Sequence, residues 1–297
     1  MLTEPTLTEI WPLWMQRAQS LLDKHAQQIN ALNVFPVPDS DTGSNMLATV
    51  SAAADADPQA GASAALQGAR GNSGSLLAVW LRALVKSLGK DGVLTPEALH
   101  FAFFTAAASA RESLSSPVEG TILLGMDAVA RAEIAGELEE HLVFLAETAA
   151  LAAFESREKL PQAAAAGVAD SGAVGFFLVV NALSLAHSER GLAEEKYAEL
   201  LRSPDRAPLA DREVAEGVEV MCTVAVGAVG MAQLRDRLEA LGDSISIARQ
   251  DESGQLPLWA VHVHAKESEA VLAALAEFGE VTNVRVTSLA DGGHLHG

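Results

Sequence analysis

The spacing of apolar residues predicts helices along the first two thirds of the chain. From about residue 7 to residue 201, apolar side chains recur with the period of an α-helix, in segments separated by glycine, proline and aspartate. A first helix begins near Leu7, and further helices are predicted at about 44–56, 60–69, 73–88, 95–112, 119–133, 136–154, 171–187 and 192–202. We therefore expect residues 1–202 to form a helical domain of about eight helices.

The pattern changes after Arg202. Residues 203–208, which include two prolines among polar neighbours, are typical of a linker. Alternating β-branched residues then predict strands at about 218–229, 244–250, 257–264 and 281–288, with helices at about 231–241 and 267–278 between them. This β-α-β-β-α-β order is that of a ferredoxin-like unit, so residues 210–290 are predicted to form a small α+β domain.

Composition narrows the choice of partners. The 297 residues include 39 acidic and 20 basic side chains, which gives a formal charge of −19. Such a surface repels nucleic acids and anionic membranes, so a bound nucleotide would need a divalent cation, a helix N-terminus or an arginine. The single cysteine favours a reducing compartment. With neither a secretion signal nor an apolar stretch of spanning length, we expect a cytoplasmic protein without a membrane span.

The most informative segment is the loop after the first predicted helix, within ALNVFPVPDSDTGSNM. Asp39 and Asp41 place two carboxylates two residues apart on a stretch stiffened by prolines, and Gly43 frees the backbone where the next helix begins. Hard oxygen donors suit magnesium, and the helix start would offer N–H groups to phosphates. The same residues are equally typical of an N-capped turn, so spacing alone does not decide between the two.

Three further loops each open a predicted helix. Residues 68–75 are rich in glycine and contain Arg70, residues 117–121 contain Gly120, and residues 167–175 contain Asp170. Glycine-rich turns before a helix let backbone amides surround a phosphate. The loop at residues 68–75 is, however, neither a Walker loop nor a dinucleotide-binding fingerprint. Taken singly, these loops are explained as helix–helix turns or, for Asp170, as an N-cap. Four such loops could converge at one end of a helical bundle.

In this order, the segments ALNVFPVPDSDTGSNM, GARGNSGSLL, PVEGTIL and GVADSGAVG resemble the nucleotide-binding domain of the dihydroxyacetone-kinase superfamily, and more closely the ATP-binding subunit of bacterial fatty acid kinase. The resemblance extends over the second domain. It implies an antiparallel barrel of amphipathic helices that holds ATP and magnesium in loops at one end. It also implies a separate carrier protein that presents a fatty acid, whose carboxylate becomes an acyl phosphate. We further expect a homodimer.

The resemblance assigns roles to individual residues. Asp39 and Asp41 would bind magnesium, and Asn33 lies close to a further metal position. Apart from the resemblance, Arg70 adds a positive charge that the acidic surface lacks, and it would take up charge that develops during phosphoryl transfer. The residues expected at the nucleotide are Thr42, Gly43, Ser44, Asn45, Asn72, Ser73, Gly74, Gly120, Thr121 and Asp170. Two positions depart from the family pattern, because Ser40 stands where glycine is usual and Ser44 replaces a threonine.

Two alternative functions stay open. A dihydroxyacetone-type kinase subunit would work with a separate sugar-binding subunit, but that branch favours histidine after the second aspartate, where this chain has Thr42. A nucleotide-binding regulatory or scaffold protein would keep the site without catalysis. The full-length family subunit continues into a C-terminal domain implicated in meeting the carrier, which this sequence does not include, and this makes the second alternative credible.

The second domain contains candidate zinc ligands. His262 and His264 lie two residues apart on a predicted strand and share a face, and Cys222 lies on the strand predicted to be its neighbour. Spacing alone favours a strand with a polar outer face and a buried, apolar cysteine. The resemblance implies instead that Cys222, His262 and His264 hold a structural zinc ion whose fourth position is open.

Overall fold

The computed structural model describes residues 4–35, 40–89, 92–202, 217–251 and 256–289. Helices occupy most of the chain before residue 202, and four strands alternate with two helices after residue 217. The helices are α1 (Leu7–Leu32), α2 (Thr42–Ala54), α3 (Pro58–Gly68), α4 (Gly71–Leu88), α5 (Pro96–Ser113), α6 (Ile122–Ala130), α7 (Leu138–Lys159), α8 (Pro161–Ala166), α9 (Ser171–Ser188), α10 (Glu194–Tyr197), α11 (Ala228–Glu239) and α12 (Ser268–Phe278). The strands are β1 (Val218–Ala225), β2 (Gly242–Asp251), β3 (Leu258–Ala265) and β4 (Glu280–Ser288).

Several helices begin at residues whose side chains cap the free amides of the first turn. Thr6 and Glu9 form a reciprocal capping box at α1, which satisfies amides that the helix leaves without partners. Asp57 caps α3 through the amides of Gln59 and Ala60, and Thr95 caps α5. Both α3 and α5 also start with proline, whose fixed φ suits the first helical turn.

Within the described part of the chain, seven helices close a ring around a central core. Each helix contacts the next in the order α1, α2, α4, α5, α6, α7 and α9, and α9 packs against α1. Trp14, Trp80 and Phe176 meet edge to face in the core, with ring centroids 6.4 and 5.1 Å apart. α9 is long and apolar enough to cross a membrane, but 83% of it is buried, so here it serves as a core helix.

The four strands form one antiparallel sheet in the order β2-β3-β1-β4, which confirms the ferredoxin-like prediction. Val220, Val261 and Val263 project from one face into a small core with α11 and α12. On the other face, Met221 and Ala248 pack against the core of the helical ring. The sheet is therefore sandwiched between its own helices and the helical part of the chain.

The predicted helices agree with the structure in order and type, and differ mainly at their ends. α6 begins at Ile122 rather than near residue 119, because Gly120 has a left-handed φ of 88°. α7 runs on to Lys159, and the short helix α8, which the pattern did not predict, follows it. Residues 192–202 form only α10 and a turn of 3₁₀ helix. The predicted linker lies outside the described residues.

Candidate functional site

The starts of α2, α4, α6 and α9 lie together at one end of the helical ring. The Ser171 hydroxyl donates to the Thr42 hydroxyl at 3.1 Å, and both residues are buried. Gly172 lies so close to its neighbours that a Cβ placed there would be 3.1 Å from both Ser73 Oγ and Ile122 Cβ. These contacts link the four loops, as the sequence predicts.

Two glycines of the second loop let α4 approach α2. Gly71 adopts a left-handed φ of 58°, and a Cβ there would lie 2.4 Å from Asn45 Nδ2. At Gly74, a Cβ would lie 2.8 Å from Thr49 Oγ1 and 3.1 Å from the Asn45 carbonyl oxygen. Any larger residue would separate the two helix starts, so these glycines are explained by close packing.

Of the two predicted magnesium carboxylates, the structure describes Asp41, whereas Asp39 lies outside the described residues. Asp41 precedes α2 but makes no capping hydrogen bond, and its Oδ2 accepts from Asn45 Nδ2 at 2.7 Å. Its carboxylate is thus oriented by a side chain. Asn33 ends α1 and is buried. Ser40 has a φ of 60°, which explains why glycine would suit this position.

Asn30 caps α2, a role that the sequence did not reveal. Its Oδ1 accepts from the amides of Gly43 and Ser44 at 2.7 and 3.1 Å, and its Nδ2 donates to Ser44 Oγ at 2.9 Å. The amides of Gly43 and Ser44, which we expected at a phosphate, therefore already have a partner within the protein. Asn30 lies in the last turn of α1, where a half-buried polar residue is unremarkable in sequence.

Asp170 is a buried carboxyl group at the start of α9. It accepts from the Ala173 amide at 2.8 Å and so acts as the N-cap that its position suggests. Its own amide donates to Ser156 Oγ at 2.8 Å. Burial raises the pKa of Asp170 to about 7, although hydrogen bonds from the amides of Ala173 and Gly172 act in the opposite direction.

The remaining predicted residues lie around this end of the ring. Arg70 directly precedes α4 and is exposed. Thr121 directly precedes α6, and its hydroxyl donates to the Val118 carbonyl at 2.9 Å. Asn72, in the first turn of α4, has a buried Oδ1 without a hydrogen-bond partner among the described residues. Such an atom favours a ligand at this site, because a buried acceptor without a donor is destabilising.

The second candidate site lies on the face of the sheet that packs against the helical ring. His262 Nε2 lies 2.9 Å and His264 Nε2 3.9 Å from Glu219 Oε1, and the three side chains could together hold a metal ion. Burial alone would raise the pKa of Glu219, but the hydrogen bond and the charge of His262 lower it below its ordinary value. Burial and the neighbouring His262 lower the pKa of His264 to about 4.

The prediction that Cys222 faces the two histidines was wrong. In the β1–β3 register, Met221 pairs with His262 and Glu219 with His264, whereas Cys222 pairs with Val261. Residues directly opposite one another share a face of the sheet, so Cys222 projects to the other side, into the core beneath α11 and α12. Burial there raises the pKa of its thiol to about 12.

Comparison with known families agrees with this architecture. The DAK2 domain family matches residues 36–185, which is just over half of the chain and includes all four loops. The chain belongs to the DAK2 domain family. Residues 217–294 match a second family, the FakA-like middle domain of fatty acid kinase. The chain therefore combines the two parts of a kinase-family subunit, as the sequence motifs imply.

Relatives share both parts and extend well beyond them. Protein YloV of Bacillus subtilis is 31% identical over 300 residues, which cover 90% of this chain and 53% of the relative. An uncharacterized protein of Staphylococcus saprophyticus is 26% identical over 93% of this chain and 53% of its own length. One from Staphylococcus aureus is 27% identical, with coverage of 93% and 54%. The chain thus spans about half the length of the curated relatives it matches.

Proposed function

We propose that this DAK2-family chain binds ATP and magnesium at the four converging helix starts and transfers the γ-phosphoryl group. The acceptor is a fatty acid carboxylate presented by a separate carrier protein, and the product is an acyl phosphate. The observation that carries the proposal is the contact network that joins the first residues of α2, α4, α6 and α9. Helix starts that meet at one point concentrate positive dipole ends, which favour a polyphosphate.

The donor set at this end fits a magnesium nucleotide. Asp41 offers a carboxylate that Asn45 orients, and Asp39, two residues earlier, would supply a second one. Asn72 Oδ1, which has no hydrogen-bond partner in the described part of the chain, and the buried hydroxyls of Thr42 and Ser171 add polar groups without charge. Magnesium would neutralise phosphate charge, which matters in a chain with a formal charge of −19.

The protein's own part in transfer is positioning. Gly71 and Gly74 bring α4 against α2, so that Ser73 and Asp41 belong to one site rather than two. Arg70 is exposed at the start of α4, and its positive charge would stabilise the negative charge that develops on the transferred phosphoryl group. An ionised carboxylate acceptor needs no general base, and the proposed mechanism assigns none. This chemistry suits a cytoplasmic enzyme that acts with its carrier.

Binding and transfer are tested separately. Titration calorimetry with ATP should show binding that requires magnesium and that the double variant Asp39→Ala, Asp41→Ala abolishes. The matched control is Asp55→Ala with Asp57→Ala, which removes two aspartates beyond the far end of α2. Equal ATP binding by both double variants would overturn the site. Incubation with ATP, a fatty acid and candidate carriers should then yield acyl phosphate, and binding without any product would indicate a regulatory protein instead.

We also propose a metal site formed by Glu219, His262 and His264, with zinc as the ion. Imidazole nitrogens and a carboxylate are ordinary zinc ligands, and their donor atoms all lie within 4.8 Å of one another. The Nδ1 atoms of both histidines are buried without a partner among the described residues. His262 Nε2 donates to Glu219 Oε1, and a bound ion would take the place of that proton. Metal analysis should find zinc in the purified protein and in Cys222→Ser, but not in His262→Ala with His264→Ala. Zinc lost from Cys222→Ser would contradict this ligand set.

A further inference from the structure

The second domain touches the candidate nucleotide site through two polar side chains of its sheet. Glu219 Oε1 accepts from the Gly71 amide at 3.0 Å, and Arg285 Nη1 donates to the Ala69 carbonyl at 3.3 Å. Arg285 of β4 lies opposite Met221 of β1, two residues from Glu219. Glu219 and Arg285 therefore project from the same face of the sheet and hold both ends of the turn that joins α3 to α4.

This turn is held from two sides. Asn45, which orients Asp41, lies against the Cα atom of Gly71, while Glu219 approaches the same glycine from the sheet. Gly71 has a left-handed backbone that the chain must maintain against its other allowed conformations. Arg70 stands between the two anchored residues, Ala69 and Gly71. The turn before α4 is thus in contact with the second domain as well as with α2.

We propose that Glu219 and Arg285 are positioning residues of the nucleotide site, which fix the turn 69–71 so that Arg70 and the start of α4 remain opposite Asp41. The inference rests on the nucleotide site proposed above. An opposing effect is the repulsion between the Glu219 carboxylate and a phosphate. That carboxylate is only 12% exposed and already accepts from His262 at 2.9 Å, so its charge is largely engaged and anchoring dominates.

Nucleotide affinity provides the first test. Loss of a hydrogen bond to a charged group shifts a local equilibrium by about tenfold or more. The dissociation constant of magnesium ATP should rise about tenfold in Glu219→Ala and about threefold in Arg285→Ala, as measured by calorimetry. Glu219→Gln keeps an oxygen that can accept from Gly71 and should restore most of the affinity. Arg285→Ala keeps all three proposed zinc ligands, so its loss of affinity separates anchoring from loss of the metal. Unchanged or tighter binding in Glu219→Ala would overturn the inference while leaving the nucleotide site intact.

Hydrogen exchange provides a second test that needs no nucleotide. Amide exchange of a peptide covering residues 69–73 should become about tenfold faster in Glu219→Ala, and remain slow in Glu219→Gln. Met221→Ala, which weakens the same interface without removing a hydrogen bond, and Arg237→Ala, which removes an exposed arginine of α11, serve as controls. If the wild-type chain binds no ATP, the proposed function fails, but the anchoring is still decided here. Equal exchange in Glu219→Ala and the wild type would exclude it.

Discussion

Replacing Asp170 with asparagine should make the protein more stable at neutral pH. Asp170 caps α9, and asparagine is an equally good cap, so the substitution keeps the hydrogen bond to Ala173 and removes only a buried ionisable group. Burial raises the pKa of this carboxyl from an ordinary value of 3.8 to about 7. A difference of about three pKa units corresponds to about 4 kcal/mol of the free energy of unfolding.

The sign of the effect follows from proton binding. Between about pH 4 and pH 7, Asp170 keeps its proton in the folded protein but loses it in the unfolded chain. The unfolded state then binds fewer protons, so stability falls as pH rises through this window and levels off above it. Since asparagine does not titrate, the stability of Asp170→Asn relative to the wild type should increase by about 2 to 3 kcal/mol from pH 5 to pH 8.

Urea unfolding of both proteins at pH 5, 6, 7 and 8 measures this difference. Asp57→Asn is the matched control, because Asp57 also caps a helix through its side chain but remains exposed to solvent. Asp57→Asn therefore shows how the same substitution acts at a helix cap that is not buried. A constant difference between Asp170→Asn and the wild type across the series would show that burial does not perturb this carboxyl group.

Three further predictions concern backbone strain and the buried thiol. Ser40→Gly should raise the free energy of unfolding by about 0.5–1 kcal/mol, because glycine tolerates the φ of 60° at this position; no gain on urea unfolding would refute this. Gly71→Ala should cost about 2–3 kcal/mol, through strain and the clash with Asn45. Gly167→Ala, at a left-handed φ of 69° with no neighbour within 4 Å among the described residues, should cost only about 1 kcal/mol, and equal losses would argue against the clash. Cys222, whose thiol has a pKa of about 12, should not react with a disulfide reagent at pH 8 until the protein is unfolded, and rapid reaction of the native protein would contradict its placement.

The order of elements was predictable from sequence because each element has a consistent local pattern. Helical periodicity identified the helices of the ring, and the alternating strands identified a ferredoxin-like sheet. The four loops were recognisable because glycine and capping residues precede each helix. That they converge at one end of a bundle was implied by the resemblance, and the contact between Thr42 and Ser171, 129 residues apart, confirms it for two of them.

What the sequence could not supply was the pairing of distant residues. His262 and His264 share a face by periodicity alone, but which residues of β1 join them depends on register. A shift of one residue would exchange Cys222 for Glu219 and Met221 on that face. Asn30 was missed for a similar reason, because its partners Gly43 and Ser44 lie beyond the end of its own helix and no local pattern links them. A hydrogen bond between two different elements leaves no periodic pattern in the sequence.

Several energetically unfavourable features of the molecule lie where the helices begin. Ser40 and Gly71 have left-handed backbones, Asp170 buries a carboxyl group, and Asn72 buries an acceptor without a donor among the described residues. The apolar faces of the helices, by contrast, meet in one continuous core. These features support the nucleotide site proposed above, because strain that is kept beside a well-packed core is a property of functional sites. The proposed role of the sheet likewise goes beyond packing, because the buried Glu219 carboxylate accepts from the amide of Gly71 as well as from His262.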